Sequence, residues 1–178
     1  MQAKGKQGDF IARAGTTMTV IAWLIFLALL FGIFDYFVER RINPNQNVAT
    51  AEYREGDYFR REVSLYRNAY GHYVSSGTIN NEDVVFLLDT GATQIAIPER
   101  VADRLGLKKQ RATMIKTANG NTLAYQTQLD SVAIGDIKLY NLRATILENM
   151  SGNEILLGMN FLKHFEIIQK GKMLTIRQ

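Results

Sequence analysis

The sequence predicts an all-β domain preceded by one transmembrane helix. Apolar residues alternate with polar ones over several short segments, and one N-terminal stretch is almost purely hydrocarbon. Short strands separated by turns about every ten residues are typical of a barrel or a sandwich. With 178 residues, the chain is long enough for one domain and an appendage, and too short for two full domains.

The predicted strands share a period of two and are bounded by turn residues. They lie around Val63 and Leu65 and at 73–79, 84–88, 112–117, 123–128, 132–134, 137–139, 142–146 and 173–176. Two short helices are expected between them. The first begins at Pro98, a residue favoured at the first helical position, and stops at Gly106. The second covers about residues 160–165, after Gly158.

The N-terminal apolar stretch predicts a membrane anchor. No charged residue occurs between Ala14 and Phe34, and we place the span at residues 16–38, after a short basic tail at 1–15. A helix of this length crosses a hydrocarbon core of about 30 Å. The alternative is a cleaved secretory signal. Signal h-regions run only about 7–15 residues and end at a small-residue cleavage site, which the exit segment 35–41 lacks.

The charges on either side of the span favour a cytoplasmic N-terminus. Lys4, Lys6 and Arg13 precede the span against Asp9 alone, whereas the arginines after it are diluted by acidic residues. We therefore expect a single-pass protein with most of the chain outside the cytoplasm.

Residues 39–61 are polar or charged, and we interpret them as a linker and stalk before a domain at 62–178. Residues 42–178 carry 16 basic and 14 acidic side chains. This near balance gives no support for a nucleic-acid partner, and none is expected.

The composition excludes several chemistries. Without cysteine the chain has no disulfide, no thiolate metal site and no cysteine nucleophile. His72 and His164 are the only histidines. We expect a structural or surface role for His72 rather than contact with substrate, and we expect His164 at the surface. We expect neither a metal nor a cofactor.

The residues with catalytic potential lie at Asp89-Thr-Gly-Ala92, where an apolar strand delivers a carboxylate onto a turn. Placing a carboxylate beside leucines is unfavourable unless hydrogen bonds satisfy the carboxylate or it has a functional role. Asp-Thr-Gly alone is a weak signal, because aspartates often only bond the backbone of a turn. An Asn-Gly hairpin tip at Thr117-Ala-Asn-Gly120 and the segment Ile155-Leu-Leu-Gly158 strengthen it.

In order and spacing these motifs resemble the retropepsin-like (clan AA) aspartic proteases from about residue 62 to the end of the chain. More narrowly, Gly71-His-Tyr73, Leu156-Leu-Gly-Met159 and the Arg177-Gln178 end resemble the membrane-anchored, single-domain members of proteobacteria. The resemblance implies a single-lobe closed β-barrel of the acid protease fold. It also implies a location in the bacterial inner membrane, with the catalytic domain in the periplasm.

The resemblance implies a catalytic role for Asp89 in a homodimer. Aspartic proteolysis uses two carboxylates about 3 Å apart that share one proton. The chain has one Asp-Thr-Gly, so the partner carboxylate is expected from Asp89 of a second copy, across a two-fold axis. Thr90 resembles the residue that cross-links the two active-site loops, and Gly91 allows close approach of a backbone N–H. Ala92 replaces the Ser or Thr of pepsin-like enzymes, so we expect a mildly acidic to near-neutral pH optimum.

The remaining roles follow from the same resemblance. Thr117, Ala118, Asn119 and Gly120 correspond to a flap that closes over an extended peptide substrate, and Leu156, Leu157 and Gly158 brace the active-site loop. The function expected is membrane-anchored aspartic endopeptidase. The alternative is a non-catalytic, dimeric peptide-binding module that retains the fold.

Overall fold

The computed structural model describes residues 4–117 and 120–178. The chain divides into two units, Met1–Glu39 and Arg40–Gln178. The second unit is built from strands and confirms the all-β class. Its strands are β1 (Thr50–Glu55), β2 (Tyr58–Tyr66), β3 (Val74–Ile79), β4 (Glu82–Leu88), β5 (Ile95–Pro98), β6 (Ala112–Thr117), β7 (Gly120–Ile134), β8 (Ile137–Leu147), β9 (Glu154–Leu157), β10 (Glu166–Lys170) and β11 (Met173–Arg177).

Helix α1 (Lys4–Ile42) forms most of the first unit. It begins inside the predicted tail 1–15 and continues past the predicted end of the span at residue 38. The segment Thr17–Ile42 has a mean hydropathy of 2.5, and its large apolar side chains, including Trp23, Leu24 and Phe31, are exposed. By length and composition this helix could cross a membrane.

The seven strands β3 to β9 form one sheet in the order β3-β4-β9-β5-β8-β7-β6. An additional pairing of β3 with β7, through Thr78↔Ala133 and Ile79↔Val132, brings the sheet back onto itself. The sheet therefore curls around the core as the predicted barrel fold requires. Gly77 permits this approach, because a Cβ there would lie 2.4 Å from the carbonyl oxygen of Ala133.

The other four strands form an antiparallel sheet in the order β1-β2-β11-β10. The two predicted helices are present as α2 (Glu99–Arg104) and α3 (Met159–Leu162). The core holds fully buried apolar side chains from both sheets and from α3, among them Leu65, Phe86, Ile97, Leu129, Ile146, Ile155, Phe161 and Ile176.

The predicted linker and stalk at 39–61 is wrong. Residues 39–42 belong to α1, and residues 50–61 form β1 and the first part of β2. The sequence does not predict these strands, because their side chains are mostly exposed and do not alternate between apolar and polar. They are held instead by pairing, as at Tyr53↔Arg60, and by the two backbone hydrogen bonds between Arg61 and Gln178.

The segment between α1 and β1 is bound into the domain through Asn45, which is 5% exposed. Its amide nitrogen donates to the carbonyl oxygens of Tyr66 (2.9 Å) and Val74 (2.6 Å), and its amide oxygen accepts from the N–H of Tyr66 (2.7 Å). Its backbone carbonyl accepts from the N–H of Ser76. This single side chain therefore joins the incoming chain to the ends of β2 and β3.

Replacing Asn45 with alanine is expected to lower the free energy of unfolding by roughly 2–4 kcal/mol, because it leaves backbone groups of Tyr66 and Val74 unsatisfied. Thermal unfolding of the full chain in detergent, followed by circular dichroism of the strands, would measure the loss. Asn47→Ala is the matched control, since Asn47 is exposed. Equal melting temperatures for the two variants would contradict the role given to Asn45.

Candidate active site

Asp89 lies directly after β4, at the point where this strand leaves the core. β4 runs parallel to β9, with Leu87 opposite Leu156 and Leu88 opposite Leu157. The backbone N–H of Asp89 extends this ladder by donating to the carbonyl oxygen of Leu157 at 3.2 Å. The carboxylate is thus carried on two paired apolar strands and is itself half-buried.

The turn after Asp89 folds back onto its carboxylate. The N–H of Gly91 donates to Asp89 Oδ1 at 2.8 Å, and the N–H of Ala92 donates to the backbone carbonyl of Asp89 at 3.2 Å. A Cβ at Gly91 would lie 3.1 Å from Oδ1, so a side chain there would crowd the carboxylate. Thr90, Gly91, Thr93 and Gln94 are exposed, and the loop therefore presents a surface to solvent in the single chain.

The end of β9 and the start of α3 pack against this active-site loop, residues 89–94. The N–H groups of Met159 and Asn160 donate to the carbonyl oxygens of Ala92 (2.8 Å) and Thr93 (3.1 Å). A Cβ at Gly158 would lie 2.4 Å from the carbonyl oxygen of Gln94 and 2.7 Å from that of Ala92. Only glycine allows the two backbones to lie this close.

Asn160 holds the far end of the loop, a role that sequence reasoning missed. Its amide oxygen accepts from the N–H of Ile95 at 3.0 Å, and its amide nitrogen donates to the carbonyl oxygen of Arg143 in β8 at 2.7 Å. An asparagine at the start of a short helix gives no signal in the sequence that it bridges two distant strands.

A cleft of about 760 Å³ opens beside Asp89, between the active-site loop and the β6–β7 hairpin. Among the residues that the structure describes, Asp89 is the only charged one in the lining of this cleft, which is otherwise apolar or neutral and polar. The other lining residues are Gly91, Ala92, Thr93, Gln94, Ala96, Thr113, Ile115, Gln126, Thr145, Leu147, Asn149, Met150 and Leu156. A carboxylate in an otherwise neutral groove is suited to chemistry on an uncharged substrate segment.

The β6–β7 hairpin contains Thr117 and Gly120, two of the four residues predicted to form the flap. Thr117 pairs with Gly120, whose φ is 101°, and the hairpin places Thr113 and Ile115 on the cleft. Ala118 and Asn119, the other two predicted flap residues, lie outside the described residues.

The base of this hairpin is held by two charged contacts. Lys109 bonds the carboxylate of Glu99, and this hydrogen bond raises the pKa of Lys109. Tyr125 Oη donates to Glu148 Oε1 at 2.9 Å, and this bond raises the pKa of the phenol. The ammonium of Lys109 also lies 5.2 Å from the centre of the Tyr125 ring. Both shifts favour the protonated groups, so these contacts persist up to strongly alkaline pH.

Among the described residues, no group of three or more His, Asp or Glu side chains is placed to hold a metal ion.

The family described as "gag-polyprotein putative aspartyl protease" matches residues 75–164, half of the chain. The matched region contains the active-site loop, the cleft, the β6–β7 hairpin and Gly158. The chain belongs to the retropepsin-like aspartic protease family.

Two uncharacterised bacterial proteins are similar to this retropepsin-like chain. It is 34% identical over 112 residues to a protein in the cobV 5' region of Sinorhizobium sp, an alignment that covers 61% of this chain and 48% of that protein. It is 32% identical over 119 residues to protein RP867 of Rickettsia prowazekii (strain Madrid E), covering 65% and 50%. The chain thus spans about half the length of the curated relatives it matches.

A solved structure supports the retropepsin-like fold directly. The retropepsin-like aspartic protease from Rickettsia conorii superposes with a TM-score of 0.58 at 26% identity, over 70% of this chain and 96% of that one.

Proposed function

We propose that this protein is a membrane-anchored aspartic endopeptidase that acts as a homodimer. One observation carries the proposal: a single carboxylate, Asp89, lies at the end of two paired apolar strands and, among the described residues, is the only charge lining a cleft of about 760 Å³. A groove of this kind can take an extended peptide.

Two copies are proposed because one carboxylate cannot be both acid and base. The sequence has one Asp-Thr-Gly, and the loop that contains it exposes Thr90, Gly91, Thr93 and Gln94. Two-fold pairing of these loops would bring the two Asp89 side chains together and cover the exposed surface. Thr90 is the proposed cross-link between the two loops.

In the proposed reaction the two carboxylates share one proton. The ionised carboxylate takes a proton from water as the oxygen adds to the peptide carbonyl carbon, and the protonated partner donates to the carbonyl oxygen. Collapse of the tetrahedral diol breaks the C–N bond. The leaving nitrogen takes the proton that the first carboxylate accepted from water, and a diol hydroxyl returns a proton to the other carboxylate. The Gly91 N–H, 2.8 Å from Asp89 Oδ1, would stabilise the ionised form.

The β6–β7 hairpin is the proposed flap. Its residues Thr113 and Ile115 line the same cleft as Asp89, which supports a role for its backbone in pairing with an extended peptide that lies over the active-site loop. Closure of Thr117–Gly120 over the substrate would exclude water from the reaction.

The proposed anchor is the apolar part of α1, with Lys4, Lys6 and Arg13 on the cytoplasmic side and the protease domain in the periplasm. Confinement to one membrane surface raises the effective concentration of two chains and so favours the homodimer.

Replacing Ala92 with serine is expected to move the pH–rate profile toward acid. Ala92 is half-exposed, lines the cleft and follows the Asp89 turn, so a hydroxyl there could donate to the ionised carboxylate. The parent should be most active at mildly acidic to near-neutral pH. Profiles of kcat/KM for both proteins measure the shift, and a parent optimum near pH 2–3 would contradict this account.

The test of the proposed function is cleavage of a diverse peptide pool by the full chain in lipid nanodiscs, from pH 3 to pH 8. Internal cleavage that a statine-type transition-state mimic blocks is the expected result. A protein that sediments as a dimer in detergent and cuts nothing in the pool would favour the alternative, a peptide-binding module.

A further inference from the structure

The β-rich unit carries an aromatic and basic patch at the end where the chain leaves α1. The side chain of Asn68 donates to the carbonyl oxygen of Ile42, the last residue of α1, at 2.9 Å. The loop that follows β2 therefore lies within hydrogen-bond distance of the residue at which α1 ends, four residues beyond the predicted end of the membrane span at residue 38.

Asn68 also shapes this loop so that Tyr70 stands outward. Its side-chain oxygen accepts from the N–H groups of Tyr70 and His72, both at 2.9 Å, and its backbone carbonyl accepts from Gly71 at 3.1 Å. Tyr70 is 73% exposed, and Tyr66, at the end of β2, is 59% exposed. A loop held by three local hydrogen bonds thus presents large aromatic rings to its surroundings.

Two lysines lie at the same end of the four-stranded sheet. Met173 pairs with Tyr66, and the N–H of Arg67 donates to the carbonyl oxygen of Lys172 at 2.8 Å. The β10–β11 turn therefore places Lys170 and Lys172, both exposed, beside the aromatic loop. We call this surface the Tyr70 face; it consists of Tyr66, Tyr70, His72, Lys170 and Lys172.

The Tyr70 face is positive, and the other end of the sheet is not. Residues 66–73 and 170–173 contain Arg67 and two lysines and no acidic residue. At the other end the charges are paired, because Asp57 in the β1–β2 turn lies 3.9 Å from Arg54, and Arg177 is shared between Glu62 and Glu166. The two ends are about 26 Å apart, given the rise of a strand and the nine residues of β2.

We propose that the Tyr70 face lies on the anionic surface of the bilayer that holds α1. Tyrosine is favoured at the membrane–water interface, and basic residues close to a membrane are attracted by anionic lipid headgroups. The bond from Asn68 to Ile42 keeps the face next to the end of α1, a few residues beyond the proposed span. The inference rests on the proposed anchoring, and it adds that the protease domain is docked in one orientation rather than tethered freely.

The test uses the absence of native cysteine to place single nitroxide labels on the full chain in nanodiscs. Ala69→Cys reports on the Tyr70 face, Asp57→Cys on the far end of the sheet, and Leu27→Cys on the proposed span. In discs with anionic phosphatidylglycerol, the collision rate with a water-soluble nickel complex at position 69 should be at least about threefold lower than at position 57. In discs of phosphatidylcholine alone, or at 1 M salt, this difference should shrink.

Charge variants separate the docked surface from a general charge effect. Lys170→Glu with Lys172→Glu should restore nickel access at position 69, whereas Lys108→Glu with Lys163→Glu, an equal change in net charge at exposed lysines elsewhere, should not. Replacing Tyr66 and Tyr70 with serine should also restore nickel access at position 69. The same replacement of Tyr58 and Phe59, which are 73% and 78% exposed at the far end of the sheet, should not.

Three outcomes would overturn the proposal. Equal nickel access at positions 69 and 57 in anionic discs, with Leu27 shielded from nickel, would reject docking and keep the anchor. If the nickel complex also reached the label at position 27, the proposed membrane anchor itself would be rejected. Shielding of position 69 that persists in detergent and depends on protein concentration would assign the face to a second protein chain. None of these measurements reads catalysis, so the peptidase proposal is tested separately.

Discussion

Replacing Asp89 with asparagine is expected to abolish peptide hydrolysis while leaving the fold unchanged. An asparagine has almost the same shape and its amide oxygen can still accept from the Gly91 N–H, which the carboxylate now does at 2.8 Å. It cannot ionise, so it cannot take a proton from water. Because the removal of one member of a catalytic unit removes most of the rate enhancement of the whole unit, we expect kcat/KM to fall on the order of 10⁴-fold or more.

The matched control is Asp130→Asn, the same change at an exposed aspartate in β7, away from the cleft lining. It should retain the activity of the parent. Initial rates on the best peptide from the pool, together with thermal unfolding, separate catalysis from folding. Substantial hydrolysis by a folded Asp89→Asn protein would contradict the catalytic role of Asp89.

Replacing Gly158 with alanine is expected to displace the active-site loop and destabilise the domain. The added Cβ would meet the carbonyl oxygens of Gln94 and Ala92 at 2.4 Å and 2.7 Å, and backbone atoms cannot rotate away as a side chain can. Separating them would break the bonds from Met159 and Asn160 to the loop. Overpacking of this kind costs about 1–3 kcal/mol or more.

The rate of peptide hydrolysis should fall even where the variant is still folded, because a shift of about 1 Å in a catalytic group can lower the rate about 10²-fold. Gly32→Ala adds the same atom in α1, where nothing lies within 4 Å, and should change neither property of the domain. Chemical unfolding and peptide hydrolysis at a temperature where the variant is folded would measure the two effects. A Gly158→Ala protein with parental stability and rate would show that the contact does not position the loop.

The parts of the fold that the sequence predicted are those with a local signal. Alternating apolar residues predicted β3, β4, β7 and β8, and Pro98 with Gly106 predicted the region of α2. Asp89-Thr-Gly91 predicted a turn after a buried strand, and the structure has one. The predicted hairpin is present, and Thr117 and Gly120 form the last pair of its two strands.

The parts that the sequence did not predict depend on contacts between distant residues. β1 and the start of β2 are exposed and charged, and they are stabilised as strands by pairing with each other and with the C-terminal end of the chain. Asn45 and Asn160 each bridge segments that are far apart in sequence, and the residues beside each asparagine do not indicate its partners. β5 is only four residues long, too short for a period to be visible.

The central claim is that two chains contribute one Asp89 each to a single active site. The most direct test mixes parent and Asp89→Asn chains at equal amounts in detergent before reconstitution, and compares the rate with that of the parent at the same total concentration. If only parent homodimers are active, random pairing leaves about one quarter of the rate. A residual rate of about one half would mean that each chain acts alone, and would contradict the account.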